Sequence, residues 1–389
     1  MEPLLSIVIP TKNRQKYAFS IIKSILSINH SSLELVVHDN SDLNILEKKL
    51  SESINDNRLV YRYNNNPLST IHNFDYAMKF VNGKYVCYIG DDDGINPQIM
   101  QIIEWANKNN LDAIIPSNPV TYSWPDYKNT GKLNIYPFNG KLKEIDVKKN
   151  LNIFLKSGAI YYLKYGLPKV YHGIVRKECF DFVYNKLGYY FGGLSPDIFA
   201  SIAISSFYPK KVVKIDYPIT VAGTSYESNK THETEEANKL KLSDAPHFNN
   251  MGPYKWSDCV PTVYSVSSIW AESSIHALED LKRSDLIRKI NQYQMSLEIA
   301  LNSPHNEKFI VDNFLNPNNY WGKYLIYHLQ KNRTKLEKLS KKITNRLLKI
   351  FLRKKTIIIN DLDSIEIAIN KMTEHIDKNA LKIDEILKN

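Results

Sequence analysis

Cysteine is scarce in this 389-residue chain: Cys87, Cys179 and Cys259 are odd in number, far apart and form no C-x-x-C pair. That argues against a disulfide framework and a cysteine zinc site, and it fits a reducing compartment. No run of 18 apolar residues occurs, so no membrane-spanning helix is expected. The amino terminus enters an apolar stretch at Leu4 without a basic leader, so no signal peptide is expected either. A glycine-rich phosphate loop of the Walker type is also missing, which counts against a nucleotidyl- or phosphotransferase of that kind. Acid is almost absent from one segment. Residues 331–355 hold eleven Lys and Arg against Glu337 alone, in a chain with 51 basic and 41 acidic residues. The remainder is balanced, so the net charge of +10 belongs to that segment.

What the chain does have is an apolar content of 43 %, ample for a core, and a strand–helix alternation over its first 116 residues. Buried strands are expected at 4–9, 33–37, 84–89 and 111–115, with an edge strand at 58–63. Helical spacing joins Ile21, Ile22, Ile25 and Leu26, and again Phe74, Ala77, Met78 and Val81. This predicts an α/β fold with a mainly parallel sheet covered on both faces, whose ligands bind beyond the carboxyl ends of the strands. Three strand ends carry polar clusters: Pro10-Thr11-Lys12-Asn13-Arg14, His38-Asp39-Asn40-Ser41-Asp42 and Gly90-Asp91-Asp92-Asp93-Gly94. They should converge on one crevice. Residues 117–143, rich in Pro and Gly, read as an ordered loop over it, and 223–258 as a flexible lid.

Three consecutive carboxylates repel one another unless a cation or hydrogen-bond donors compensate. Oxygen-only ligation suits Mg²⁺ or Mn²⁺. The plainer alternative is a solvated acidic turn before the next helix. In order and spacing, SIVIPTKNR (6–14), VVHDNSD (36–42) and NGKYVCYIGDDDGINP (82–97) resemble the family 2 glycosyltransferases of the GT-A fold. The resemblance implies an inverting, metal-dependent transferase using a UDP-sugar donor. Pro10, Thr11 and Asn13 would line the nucleotide pocket, with Asn73 near it. Asp39 would accept from the base, Asp91 would hold the ribose and Asp92 the metal. Many members read Asp-x-Asp-Asp here, and the first Asp falls at Gly90, which leaves the roles of Asp92 and Asp93 as metal ligands open.

An inverting displacement also needs a base remote from the triplet. Asp197, in Gly192-Gly193-Leu194-Ser195-Pro196-Asp197 at the start of an apolar helix, is the expected one. The alternative is an acid favoured at a helix amino terminus. Tyr171 and His172 are candidates for the acceptor side, His232 for the metal, and Tyr122 and Trp124 for stacking on a sugar. The resemblance implies a glycan acceptor, lipid-linked or polymeric, in bacterial surface polysaccharide synthesis. A scaffold lacking activity is the rival from another class.

The expected organisation is a GT-A domain over 1–225, divided into 1–116 for the nucleotide and 117–225 for the acceptor, then a lid and helices over 226–330 and a tail over 331–389. In the tail, Leu336, Leu339, Ile343, Leu347 and Ile350 mark a basic amphipathic helix suited to an anionic membrane surface, with a solvated helix packed on the protein and a nucleic-acid contact as the alternatives. That would make the protein cytoplasmic and peripheral on the inner face of the membrane. Leu362, Ile365, Ile369, Met372, Ile376, Asn379, Ile383 and Ile386 follow a heptad rhythm, read as a short coiled coil that makes a homo-oligomer through 361–389, the alternative being a helix folded back on the body.

Overall fold

Strand β1 (Leu5–Thr11) is apolar on both faces because both are covered: Leu5, Ile7 and Ile9 enter one core and Val8 the other. The same division separates Leu35 and Val37 from Val36 in β2 (Leu33–Asp39). Unbroken apolar strands of this kind are what a two-sided sheet requires. The structure, a computed structural model, describes residues 2–117, 119–128, 130–228, 246–315, 327–333, 336–337, 339–340, 356–378 and 382–388.

Helices α1 (Gln15–Leu26), α2 (Ile45–Ser53) and α3 (Thr70–Met78) link β1, β2, β3 (Leu59–Tyr63) and β4 (Tyr85–Tyr88). These strands run parallel in the order β3-β2-β1-β4, with β3 at the edge as its weaker pattern implied. Past β4 the sheet is mixed. Strand β10 (Ile174–Arg176) pairs antiparallel with both β4 and β6 (Ala113–Pro116), and β6 pairs parallel with β11 (Val212–Ile215). Strand β9 (Leu142–Glu144) forms the far edge.

The stretch 117–143 is not the expected loop. Its β7 (Val120–Ser123) and β8 (Lys132–Ile135) join a second sheet of order β13-β8-β7-β12-β5 among the described residues. There β5 is Gly94–Ile95, β12 is Thr220–Thr224 and β13 is Ile357–Ile359. Alternate residues of β7 and β8 are buried, a period of two that is short and masked by surrounding turn residues. Tyr122 and Trp124 are accordingly core side chains and not a sugar platform: the Tyr122 hydroxyl donates to the Leu362 carbonyl, and both rings are almost fully buried.

The tail helix of the expected oligomer follows a longer series of helices in chain order. Helices α4 (Ile99–Lys108), α5 (Val147–Lys156), α6 (Lys177–Leu187), α7 (Pro196–Ser205), α8 (Val266–Asp280) and α9 (Gln292–Asn302) precede α10 (Ile365–Lys378). The expected coiled coil is corrected here. Ile365, Ile369, Met372, Ile376 and Ile383 are buried in the same core as Ile7, Tyr17 and Ile21, with α10 lying on α1 and β5. Among the described residues its seam is filled by the chain itself, so the heptad pattern recorded a core face. Ile369→Ala should cost about 3 kcal/mol, as a buried Ile lost to a cavity does. Chemical denaturation checks this, and light scattering should show no change of mass. Asn379 and most of the basic segment lie outside the described residues, as does His232. Leu329, Leu336 and Leu339 are exposed where described. Among the described residues no helix is long and apolar enough to cross a membrane.

Candidate functional site

The ends of β1 and β4 meet at the Asp triplet, and each carboxylate has a different set of partners. Thr11 Oγ1, on the last residue of β1, donates to Asp91 Oδ2 at 2.6 Å. The chain then turns through Asn13, whose φ of 58° is a left-handed geometry that Asn tolerates. The Asn13 N–H and side-chain amide donate to Ser41 Oγ and Asp42 Oδ2, which ties this turn to the end of β2. Arg14 follows at the start of α1 and reaches back over the triplet. Its Nη1 lies 2.8 Å from Asp91 Oδ1 and its Nη2 2.7 Å from Asp92 Oδ2.

Asp92 Oδ2 also accepts from Ser225 Oγ at 2.7 Å, from Ser228 Oγ at 2.6 Å and from the Ser225 N–H at 3.2 Å. From behind, Trp124 Nε1 donates to the Asp92 carbonyl at 2.8 Å. Gly223 belongs to the same contact. A Cβ there would stand 1.8 Å from the Asp92 carbonyl oxygen, so only glycine lets β12 pass this close.

Asp93 faces the protein. Its Oδ2 accepts from the Gly90 N–H at 2.7 Å and the Tyr171 hydroxyl at 2.6 Å, with His172 Nε2 at 3.2 Å, while Oδ1 accepts from the Gly223 N–H at 2.7 Å. Burial alone would raise this carboxyl, but His172, Tyr171 and Gly223 together hold it well below the usual range. The structure seats the Tyr171 and His172 side chains on Asp93, with His172 Nδ1 also 2.9 Å from Thr220 Oγ1. The fold brings Tyr171 and His172 there because they lead into β10, the antiparallel neighbour of β4.

Asp91 behaves in the opposite way. Burial pushes its carboxyl up, Arg14 pulls it back, and the Asp92 charge raises it again, to about 7. A carboxyl whose folded pKa exceeds its unfolded value stabilises the fold at low pH and loses that contribution as pH rises toward the folded value. Between roughly pH 4 and 7 the loss is on the order of 4 kcal/mol at about 1.36 kcal/mol per unit. The Tm of the metal-free protein should therefore fall faster from pH 5 to 7.5 than that of Asp91→Asn, a comparison made by calorimetry.

Asp39 is fully buried at the end of β2. Ser41 donates through its N–H and Oγ to Oδ1, and the Tyr61 hydroxyl donates to Oδ2 at 2.8 Å. Asn73 spans two strand ends, donating from Nδ2 to the Thr11 carbonyl at 3.1 Å and placing Oδ1 2.5 Å from His38 Nδ1. Pro10 is the penultimate residue of β1.

Asp197 sits in the first turn of α7, behind Pro196. Its Oδ2 accepts from the Tyr162 hydroxyl and its Oδ1 from Ser195 Oγ, both at 2.7 Å. Burial first, and Asp197 second, push the Tyr162 hydroxyl well above its ordinary pKa, so it stays a donor. The loop before Asp197 is held from two sides. The N–H groups of Tyr190 and Phe191 donate to Asp75 of α3, and those of Leu194 and Ser195 donate to Ser273 Oγ of α8.

Sequence reasoning passed over Arg14, Ser225, Ser228 and Tyr162. The available signal for Arg14 was charge: an acidic triplet at a buried strand end needs a cation, and Arg14 stands in the first polar cluster. Nothing comparable marked the serines, which are remote in sequence. Chemically, Asp91 and Asp92 offer hard oxygen donors that fit Mg²⁺ or Mn²⁺. No group of three or more His, Cys, Asp or Glu suited to a metal occurs among the described residues. Two carboxylates with phosphate and water completing the shell is the usual arrangement for such ions.

Residues 6–165 match the family described as glycosyl transferase family 2. WcaA of Escherichia coli K12, provisionally described as a colanic acid biosynthesis glycosyl transferase, is 29 % identical over 156 residues. That alignment covers 38 % of this chain and 54 % of WcaA, so the chain spans about half the length of the curated relative it matches. Among solved structures, TarS of S. aureus in complex with UDP-GlcNAc aligns over 80 % of this chain and 81 % of its own, at 14 % identity and a TM-score of 0.44. The mannosyltransferase PcManGT of Pyrobaculum calidifontis, in complex with GDP-Man and Mn²⁺, aligns over 85 % and 84 %, at 13 % identity and 0.41. Both likenesses are distant.

Proposed function

We propose, from the match of residues 6–165 to glycosyl transferase family 2, that the protein transfers a sugar from a UDP-sugar, with inversion, to a hydroxyl of a glycan acceptor in surface polysaccharide synthesis. The observation that supports this most is the meeting of Thr11, Arg14, Asp91 and Asp92 at the carboxyl ends of two adjacent parallel strands. The description of WcaA supports the polysaccharide assignment.

In this reading Asp39, held by Ser41 and Tyr61, receives the base, while Pro10, Thr11, Asn13 and Asn73 shape the nucleotide pocket. Asp91 takes the ribose and, beside Asp92, offers its other oxygen to the metal. Asp92 is the nearer metal ligand, because both oxygens of Asp93 accept from protein donors whereas the donors on Asp92 all share Oδ2. A divalent ion bound there supplies positive charge to the departing diphosphate. Asp197, fixed by Tyr162 and Ser195, accepts the proton of the attacking hydroxyl. The basic segment 331–355 brings the enzyme to an anionic membrane on its cytoplasmic side, where a lipid-linked acceptor would be found.

The test is a panel of nucleotide-sugars, UDP- and GDP-linked, assayed for release of nucleoside diphosphate with Mn²⁺ and varied glycan acceptors. Release with a UDP-sugar that EDTA abolishes is expected. No release with any donor would overturn the transferase reading, and release that resists EDTA would overturn its metal.

A further inference from the structure

Arg14 occupies the space that a divalent ion on Asp91 and Asp92 would need. Its two terminal nitrogens stand 2.8 and 2.7 Å from one oxygen of each carboxylate. A Mg²⁺ or Mn²⁺ ion bound to those same oxygens would sit about 2.1 Å from each, which excludes the guanidinium sterically and by charge. We propose that Arg14 is an internal counterion, holding the two carboxylates together in the metal-free protein and leaving them when the ion enters. This rests on the metal-site reading given above.

Three further features support a movable Arg14 over a fixed structural one. Its seat is imperfect, because the Nε is buried without a hydrogen-bond partner. Its departure has somewhere to go: a cavity of about 280 Å³ opens beside it, lined among others by Gln15, Tyr17, Asp126, Tyr226 and Glu227. The carboxylates of Asp126 and Glu227 offer new partners there, and the Tyr17 ring already lies 5.3 Å from the guanidinium. Lastly, Ser225 Oγ lies 2.5 Å from Arg14 Nη2 as well as on Asp92, so the same movement is felt by the 225–228 turn. Arg14 and the ion thus compete for one site, and the loss of the charge at residue 14 must strengthen metal binding.

The experiment is calorimetric titration of Mn²⁺ alone into metal-free full-length protein, comparing wild type, Arg14→Gln and Arg14→Lys. Removing the competing charge should tighten Mn²⁺ binding roughly tenfold in Arg14→Gln, within the usual range of site-to-site coupling. Arg14→Lys, which keeps the charge, should bind as wild type does. Mn²⁺ should also raise the Tm of Arg14→Gln by more than that of wild type. If metal-free Arg14→Gln is unfolded, Mn²⁺ should restore its circular dichroism. Equal or weaker Mn²⁺ binding by Arg14→Gln, or no recovery of its fold, overturns the proposal. Mn²⁺ binding to neither protein, even with UDP present, overturns instead the metal site on which it rests.

Discussion

Replacing Asp197 by Asn is expected to lower kcat about 10³-fold while the protein stays folded, which is the scale of losing one positioned proton acceptor. The substitution keeps the volume of the side chain, so the packing at the start of α7 is retained. Its two partners adapt: the Tyr162 and Ser195 hydroxyls can each donate to an amide oxygen or accept from an amide nitrogen. The bracing of this loop by Asp75 and Ser273 does not involve Asp197 and persists. Donor KM should therefore hold within a few-fold, since the base acts on the acceptor hydroxyl. Steady-state kinetics with saturating acceptor would measure both constants. A kcat within tenfold of wild type would remove Asp197 from the reaction and leave it as a helix-terminal acid, the role such residues often have.

Asp92→Asn should be at least as damaging, with kcat/KM down on the order of 10³-fold, because charge stabilisation of the leaving group is among the largest contributions to such reactions. Its effect on stability is a contest between two effects. The carboxylate accepts four hydrogen bonds from Arg14, Ser225 and Ser228, and losing a charged acceptor costs about 1.5–3 kcal/mol per strong bond. Against that, removing one of two adjacent buried anions relieves repulsion on Asp91, which Asp92 pushes up in pKa. The two offset in part, so a clear but modest drop in Tm is expected beside a nearly complete loss of Mn²⁺ binding. Calorimetry separates these readouts. A variant that still binds Mn²⁺ as wild type does would move the metal away from Asp92.

Much of the domain was legible because the strands are buried on both sides. A strand such as Leu33–Asp39 must be apolar throughout and then end in polar residues, so both its position and its functional end show in the sequence. The second sheet was not legible for the converse reason. Its strands are short, separated by turn residues and completed by Ile357–Ile359, hundreds of residues from their partners. Hydrophobic period reports a face, but it does not name what covers that face. The tail shows this most clearly: Ile365, Ile369, Met372 and Ile376 announce one apolar stripe, and either a second copy or the chain's own body satisfies it equally well. Only packing against α1 and β5 decided between them.

The site divides along the same line. The sequence alone determined that three acids close a buried strand and need compensation, because burying charge is costly wherever the chain goes. It determined the strand–turn–helix setting of Thr11, Asp39 and Asp91 as well. Tertiary structure decided how the three acids differ. Tyr171, His172 and Gly223 converge on Asp93 and hold it charged, whereas burial among Thr11, Arg14 and Asp92 brings Asp91 near neutrality. Those partners come from the end of β1, the entry to α1, the turn before β10 and β12, and nothing in their local sequence says which carboxylate each will meet. A pKa depends on distances of a few ångströms between groups far apart in the chain, and only the folded backbone sets those distances.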